Sequence, residues 1–172
     1  MEQDIIIEGF KSSIEMHNLT YRKFIADGDS SVFTKIKEKV TYGLEVQKVE
    51  CMNHVLKNYG KNLHKIRNDT KLVPLAARKI LSKEILDELV KTVQFAIYAN
   101  VQNSEFLRED IRNTYNHVFG NHLCCKEYLC ENVGDCSQGK TKDVATTRLQ
   151  HHIHGAMNQL LTKANLLLDK RN

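Results

Sequence analysis

The apolar positions in the first part of the chain switch between helical and strand spacing. Apolar residues recur about every four positions over residues 4–17 and predict a helix there. Residues 21–26 and 46–51 form short runs with strand propensity. Helical spacing returns over about residues 31–40 and 52–67. This alternation predicts two parallel strands joined by a helical crossover.

The rest of the chain has helical spacing and no convincing strand. Ser82 and Ser104 are placed to cap two further helices, and a last helix is predicted over about residues 143–168. Residues 117–142 have little periodicity and contain several glycines, cysteines and histidines. We therefore expect a helical region that is interrupted by one irregular loop.

Two strands are too few for a stable open sheet, so the first part of the chain is expected to belong to a larger sheet. We predict an α/β fold that is predominantly helical. Its parts are an incomplete α/β core over residues 1–70 and a helical region over residues 71–172, with a Cys/His loop at 117–136.

Composition narrows the class of protein. The chain has 172 residues, of which 41% are hydrophobic and 27% charged, and it contains a single proline. These values fit one globular domain and exclude a collagen-like or Pro/Gly-rich disordered chain. No apolar run approaches the roughly 20 residues that span a bilayer, and the acidic N-terminus lacks the basic start of a signal peptide. A reducing compartment is therefore expected, where cysteines serve as thiols or metal ligands more often than as disulfides.

The net charge of +4 is unevenly distributed. Residues 21–80 hold thirteen Lys or Arg against six acids, whereas residues 81–172 are balanced. A basic region suits a polyanion such as DNA, although a solvated lysine-rich helix face explains the same pattern.

Asp27 follows the first predicted strand and precedes a helix. A carboxylate at that place lies where open α/β sheets hold their ligands, and its oxygens can bind Mg²⁺. One Asp does not make a catalytic metal site, because two-metal chemistry needs several converging carboxylates. On spacing alone, the alternative that Asp27-Gly28 forms a turn and that Asp29 caps the helix is favoured.

A second group of candidates consists of cysteine and histidine. His122, Cys125 and Cys130 have a spacing compatible with zinc, and the fourth ligand is left open among His117, Cys124, Cys136 and the pair Cys51/His54. Cys51 and His54, three residues apart after the second strand, are candidate ligands that a buried thiol and a capping imidazole explain equally well. Such a closed zinc site would order a loop with a thin core.

Together these motifs resemble a known family, the Mutator-like transposases. The resemblance runs over roughly residues 14–130. It rests on the segments Tyr21-Arg-Lys-Phe-Ile-Ala-Asp-Gly-Asp-Ser-Ser-Val, Tyr42-Gly, Val46-x-Lys-Val-Glu-Cys-Met-Asn-His54, Leu81-Ser-Lys, Ala96-Ile97 and His117-Val-Phe-Gly-Asn-His122-x2-Cys125-x4-Cys130.

The resemblance implies an RNase H-like catalytic core with a DDE carboxylate triad that works with Mg²⁺ or Mn²⁺ on DNA in the nucleus. It also suggests a homo-oligomer and no membrane partner. It implies that Asp27 is the second catalytic carboxylate, with Asp29 as the next candidate. Cys51-x-x-His54 corresponds to a signature that follows this carboxylate, and the helices beyond residue 70 correspond to an insertion before the third acid. The DNA-binding candidates are Lys35, Lys39, Lys57, Lys61 and Lys65.

The chain departs from the family pattern in its carboxylates. No strand-borne Asp precedes Asp27, and no Glu follows the last helix. The expectation is therefore a partial transposase that does not cut DNA alone. The alternative is a non-enzymatic helical module, stapled by zinc, that binds DNA or protein.

Overall fold

A computed structural model of the protein describes residues 2–27, 31–101, 103–134 and 148–167. Asp29, Cys136 and the first residues of the predicted last helix lie outside these ranges. The chain divides into two compact units, Met1–His54 and Val55–Arg171. The assignment of residues 1–70 and 71–172 to two functional regions stays a prediction.

The first unit contains a pair of short parallel strands and the helices beside them. The strands pair in the register that joins Lys23 to Gln47 and Ala26 to Glu50, which confirms the predicted parallel pair. Helix α2 lies between the strands in the chain and forms the crossover that a parallel connection requires. In chain order the elements are α1 (Glu2–His17), β1 (Lys23–Ala26), α2 (Ser31–Lys39), a 3-10 turn (Gly43–Glu45) and β2 (Gln47–Glu50).

The core of this unit joins α1 to the segment after α2. Phe10, Ile36 and Val46 are buried in one apolar cluster with Tyr42. The Tyr42 hydroxyl donates to the Phe10 carbonyl oxygen at 2.9 Å and lies 2.7 Å from Ser13 Oγ. A buried polar group costs free energy unless it is hydrogen-bonded, so these contacts let Ser13 and Tyr42 enter the core.

Gly43 allows a close approach of two backbone segments. A Cβ atom at this position would lie 2.1 Å from the carbonyl oxygen of Ile36. Any other residue would therefore collide with the backbone of α2.

Among the described residues of the second unit, every regular element is a helix. Five helices carry most of the described buried side chains, and the first of them begins at Met52, directly after β2. They are α3 (Met52–Asn68), α4 (Leu75–Ile80), α5 (Lys83–Ala99), α6 (Ser104–Val118) and α7 (Leu149–Lys163), which a 3-10 turn (Ala164–Leu166) extends. The chain is thus mostly helical with two short parallel strands, as the hydrophobic pattern predicted.

Of the two serines predicted to cap helices, the structure confirms one. Ser82 caps α5, and its side chain accepts a hydrogen bond from the Ile85 amide. Ser104 was wrongly predicted as a cap, because the side chain of Asn103 accepts from the amides of Glu105 and Phe106 and Ser104 is already helical. Both residue types favour this position, so sequence alone does not separate neighbours.

Helix α4 was not predicted. Its six residues span less than two turns, which is too short for a recognisable apolar period. It begins directly after Pro74, a residue that cannot continue a preceding helix. Ala77 on its inner face is fully buried.

The centre of the second unit is formed by α5, α6 and α7. Helix α5 packs against α6, and α6 packs against α7. The fully buried apolar side chains at these contacts are Leu89, Val93, Leu107, Ile111 and Ile153. This core holds α6, whose C-terminal end carries the first residue of the candidate metal centre.

Candidate metal centre and carboxylate site

Asp27 and Cys51 lie at the same edge of the two-stranded sheet. Ala26 and Glu50 are partners at the last register position, and the Cys51 amide donates to the Ala26 carbonyl oxygen at 3.1 Å. Asp27 and Cys51 are the next residues of their strands. The predicted placement of Asp27 beyond the carboxyl end of a parallel strand is therefore correct, and this is where α/β sheets bind ligands.

His54, on the first turn of α3, contacts the Asp27 carboxylate. Its Nδ1 lies 3.0 Å from Oδ2 of Asp27, and the two side chains are 34% and 64% exposed. Among the described residues, Asp27 does not join two other His, Cys, Asp or Glu side chains at ligand spacing. The described residues by themselves therefore do not fit a two-metal catalytic centre, which needs several converging carboxylates.

Four side chains near the end of α6 come together in a second place. They are His117, His122, Cys125 and Cys130, whose ligand atoms all lie within 4.8 Å of one another. The structure thus brings together the three predicted zinc candidates and, of the possible fourth ligands, His117. Cys124 is exposed, Cys51 and His54 are not members of the group, and Cys136 lies outside the described residues.

The closest pairs in this group join imidazole nitrogens to sulfurs. Cys125 Sγ lies 3.5 Å from His117 Nδ1 and 3.6 Å from His122 Nδ1. Cys130 Sγ lies 3.3 Å from His122 Nδ1. Both sulfurs are buried, whereas the imidazoles are half-buried. Imidazole and thiolate are the usual ligands of zinc in proteins.

Local turns explain how four residues spread over the chain converge. Gly120 ends α6 with a φ of 84°, a conformation that glycine adopts without strain. His122 then accepts backbone hydrogen bonds at its carbonyl oxygen from Cys125 at 3.1 Å and from Gly134 at 3.0 Å. The loop therefore folds back on His122 and directs both thiols towards it.

Asp110 on α6 anchors the same loop from another side. Its carboxylate accepts from Tyr128 Oη at 2.5 Å, from Asn100 Nδ2 at 2.6 Å and from Lys126 Nζ at 2.8 Å. Burial, followed by the neighbouring Asp110 carboxylate, raises the pKa of Tyr128, which keeps this hydroxyl a donor. Sequence reasoning missed this network because Asp110 has the spacing of an ordinary helical acid.

Burial also sets the protonation of the Cys/His group. It raises the pKa of Cys125 to about 11, with Cys130 adding to the effect, so without a cation Cys125 is a thiol. Burial, followed by His122, lowers the pKa of His117. A neutral imidazole is the form that binds a metal, and a metal must displace the thiol protons.

The predicted DNA-binding lysines belong to two helices, α2 and α3. Lys57, Lys61 and Lys65 are exposed and four residues apart on α3. Lys35 on α2 donates to Gln3 Oε1 at 2.7 Å, and Lys39 is exposed. Their contact with DNA stays a prediction.

Comparison with known proteins decides the family. A family model described as Mutator-like transposase matches residues 1–130, which is most of the chain. The protein belongs to the Mutator-like transposase family. The match spans both strands, Asp27 and all four members of the Cys/His group. No curated protein and no solved structure matched the chain.

Membership of the Mutator-like transposase family implies DNA as the partner and a divalent metal in catalysis. Within the described residues, no helix is both long and apolar enough to cross a membrane.

Proposed function

We propose that this Mutator-like transposase chain contributes Asp27 to an RNase H-like DDE centre that binds Mg²⁺ or Mn²⁺ and acts on transposon ends. The observation that carries this proposal is the position of Asp27 directly after β1, at the edge where Cys51 follows β2, and in contact with His54. A solvent-exposed carboxylate at this edge is accessible to a metal and to DNA.

We further propose that the 172-residue polypeptide does not cleave DNA unaided. Asp27 is the one residue of this sequence that corresponds to a family carboxylate, and one carboxylate does not hold two metal ions. The purified chain should therefore leave terminal-repeat DNA intact with Mg²⁺ or Mn²⁺. Cleavage that Asp27→Asn abolishes would overturn this part of the proposal while supporting the role of Asp27.

DNA affinity tests the family function apart from cleavage. Lys57, Lys61 and Lys65 on α3 are placed to contact phosphates without reading bases. Binding should then weaken steeply with salt, because each phosphate contact releases counterions. An affinity that stays the same between low and moderate salt contradicts the proposal.

A matched pair of variants localises the contact. The slope of the logarithm of the DNA association constant against the logarithm of the salt concentration is negative. The double substitution Lys61→Gln and Lys65→Gln should reduce its magnitude by about 2, since each phosphate contact contributes about 1. Lys83→Gln with Lys91→Gln removes the same charge from exposed positions on α5. Equal effects of the two pairs would assign the binding to net charge.

The site of action and the assembly state are parts of the same proposal. A DNA substrate supports a nuclear location, and transposon ends that must be brought together support a homo-oligomer. Fluorescence of a tagged chain in cells tests the first statement, and light scattering with and without DNA tests the second. A tag that stays outside the nucleus, or a monomer in both conditions, contradicts the corresponding statement.

The second candidate function is a zinc-stapled helical module that binds DNA or another protein without catalysis. The observation that favours it is the Cys/His group, which has a full set of four ligands, whereas among the described residues no further carboxylate joins Asp27 at ligand spacing. Salt-insensitive or absent DNA binding by a well-folded chain would favour the protein-binding form of this module.

A further inference from the structure

The geometry points to a closed structural zinc site held by His117, His122, Cys125 and Cys130. The inference deepens the second candidate function, the zinc-stapled module, and does not depend on the role proposed for Asp27, because it concerns how the loop after α6 folds. It assigns the fourth ligand, which the residue spacing leaves open, to His117.

The shortest distances within the group match those of a tetrahedral zinc site. Zinc binds imidazole nitrogen at about 2.0 Å and thiolate sulfur at about 2.3 Å, so tetrahedral angles place nitrogen and sulfur about 3.6 Å apart. Three of the four nitrogen–sulfur pairs of the group measure 3.5, 3.6 and 3.3 Å. The ligand atoms of all four residues lie within 4.8 Å of one another, so a single ion placed among them would be shared by the four side chains.

The ligand set selects zinc and a structural role. Two imidazoles and two thiolates in a tetrahedral arrangement suit zinc, whereas Mg²⁺ and Ca²⁺ require oxygen ligands. Four protein ligands leave no open position for water or substrate. The site is thus separate from the catalytic metal chemistry proposed at Asp27.

Neighbouring groups donate hydrogen bonds to both sulfurs. The Asn132 amide donates to Cys130 Sγ at 3.2 Å, and Asn113 Nδ2 lies 3.7 Å from Cys125 Sγ. Asn113 also donates to the Cys124 carbonyl oxygen at 3.0 Å, which holds its amide in place. Such outer contacts orient metal ligands and favour the thiolate form.

Apart from its hydrogen bonds to Asp110, the loop has little apolar core to order it. Among residues 120–134, all of which are described, the two buried residues are Cys125 and Cys130, while Leu123 and Val133 are 58% and 46% exposed. Both buried side chains are thiols, and thiols are small, so they supply little apolar area. Zinc would therefore provide the contacts that an apolar core provides elsewhere.

Metal analysis of the full chain, expressed with zinc available, tests the inference directly. We expect about one zinc per chain. The same analysis also measures iron and should find none. After replacement by Co²⁺, the visible spectrum should show intense tetrahedral ligand-field bands and sulfur-to-cobalt charge transfer. A chain without stoichiometric zinc, a chain loaded with iron, or a weak octahedral cobalt spectrum would overturn the assignment.

Neighbouring cysteines provide matched variants. Cys125→Ser should lower zinc affinity by more than the roughly 10–100-fold that an outer contact contributes, and His117→Gln should do the same. Cys124→Ser, one residue away and exposed, should keep full zinc, as should Cys136→Ser. Loss of zinc in either of these two, or retention in His117→Gln, contradicts the ligand set.

Hydrogen exchange keeps the test decisive if a ligand variant does not fold. Removal of zinc from the wild-type chain by a chelator should remove amide protection in residues 120–134 and leave α1 protected. Adding zinc back should restore the amide protection of residues 120–134. Equal protection of the loop with and without the metal would show that zinc does not order it.

Discussion

His54 Nδ1 lies 3.0 Å from Oδ2 of Asp27, at the point where the two parallel strands end. The pair joins the residue after β1 to the first turn of α3, the helix that follows β2. An imidazole here restricts the orientation of the carboxylate, whose side chain stays 64% exposed. His54 therefore has a physical role as a contact of Asp27. This role does not require Cys51 and His54 to bind a metal together.

Asp27→Asn should change the free energy of unfolding by less than about 1 kcal/mol. Asp27 is 64% exposed, and exposed ion pairs contribute little to stability. Urea denaturation followed by circular dichroism measures the change. A loss of several kcal/mol would make Asp27 a structural residue and would weaken its assignment to catalysis.

Asp110→Asn should destabilise the protein by about 2–4 kcal/mol. The Asp110 side chain is 6% exposed and accepts from Lys126, and from Asn100 and Tyr128, so an amide would place donors against donors. Urea denaturation of the variant provides the measurement. Glu109→Gln, an exposed neighbour, should stay within about 0.5 kcal/mol, and a similar loss in both variants would contradict this explanation.

Gly43→Ala and Gly9→Ala should have opposite effects. A methyl group at Gly43 would lie 2.1 Å from the Ile36 carbonyl oxygen, whereas nothing lies within 4 Å of one at Gly9. The first change should cost about 3 kcal/mol or more, because backbone must move. The second should stabilise α1 by about 0.5–1 kcal/mol. Thermal unfolding of both variants measures the difference, and equal midpoints would show that the turn adapts.

Stability should fall in mild acid because of His154. Burial, followed by His151, lowers the pKa of His154, and its Nε2 is buried without a hydrogen-bond partner in the described structure. The unfolded chain binds the proton more readily, so stability is full above a pH of about 6.5 and declines below it.

His154→Phe isolates this contribution. Phenylalanine keeps an aromatic ring beside Tyr115, which the imidazole contacts edge-on at 5.4 Å, and it removes the titrating group. Between pH 7.5 and pH 5 the variant should lose less unfolding free energy than the wild-type chain. Parallel losses in the two proteins would assign the acid sensitivity to other groups.

Much of the fold could be predicted from local pattern. Residues 21–26 and 46–51 are predicted as strands and the intervening segment as a helical crossover. These predictions are possible because apolar residues recur about every second position in a strand and about every fourth position in a helix. Helix α4 and the Asn103 cap were missed, since six residues carry no clear period and neighbouring polar residues cap equally well. The parallel pairing followed from the helix between the strands, which leaves no room for a tight hairpin.

Sequence by itself determined the alternation of helix and strand, the resemblance to the Mutator-like transposases and the position of Asp27 after a strand. These depend on residues close together in the chain. Only the tertiary structure decided that His54 contacts Asp27, that His117 joins His122, Cys125 and Cys130, and that Asp110 is buried. Each of these is a distance between side chains on different segments, and such distances follow from how the helices and turns pack.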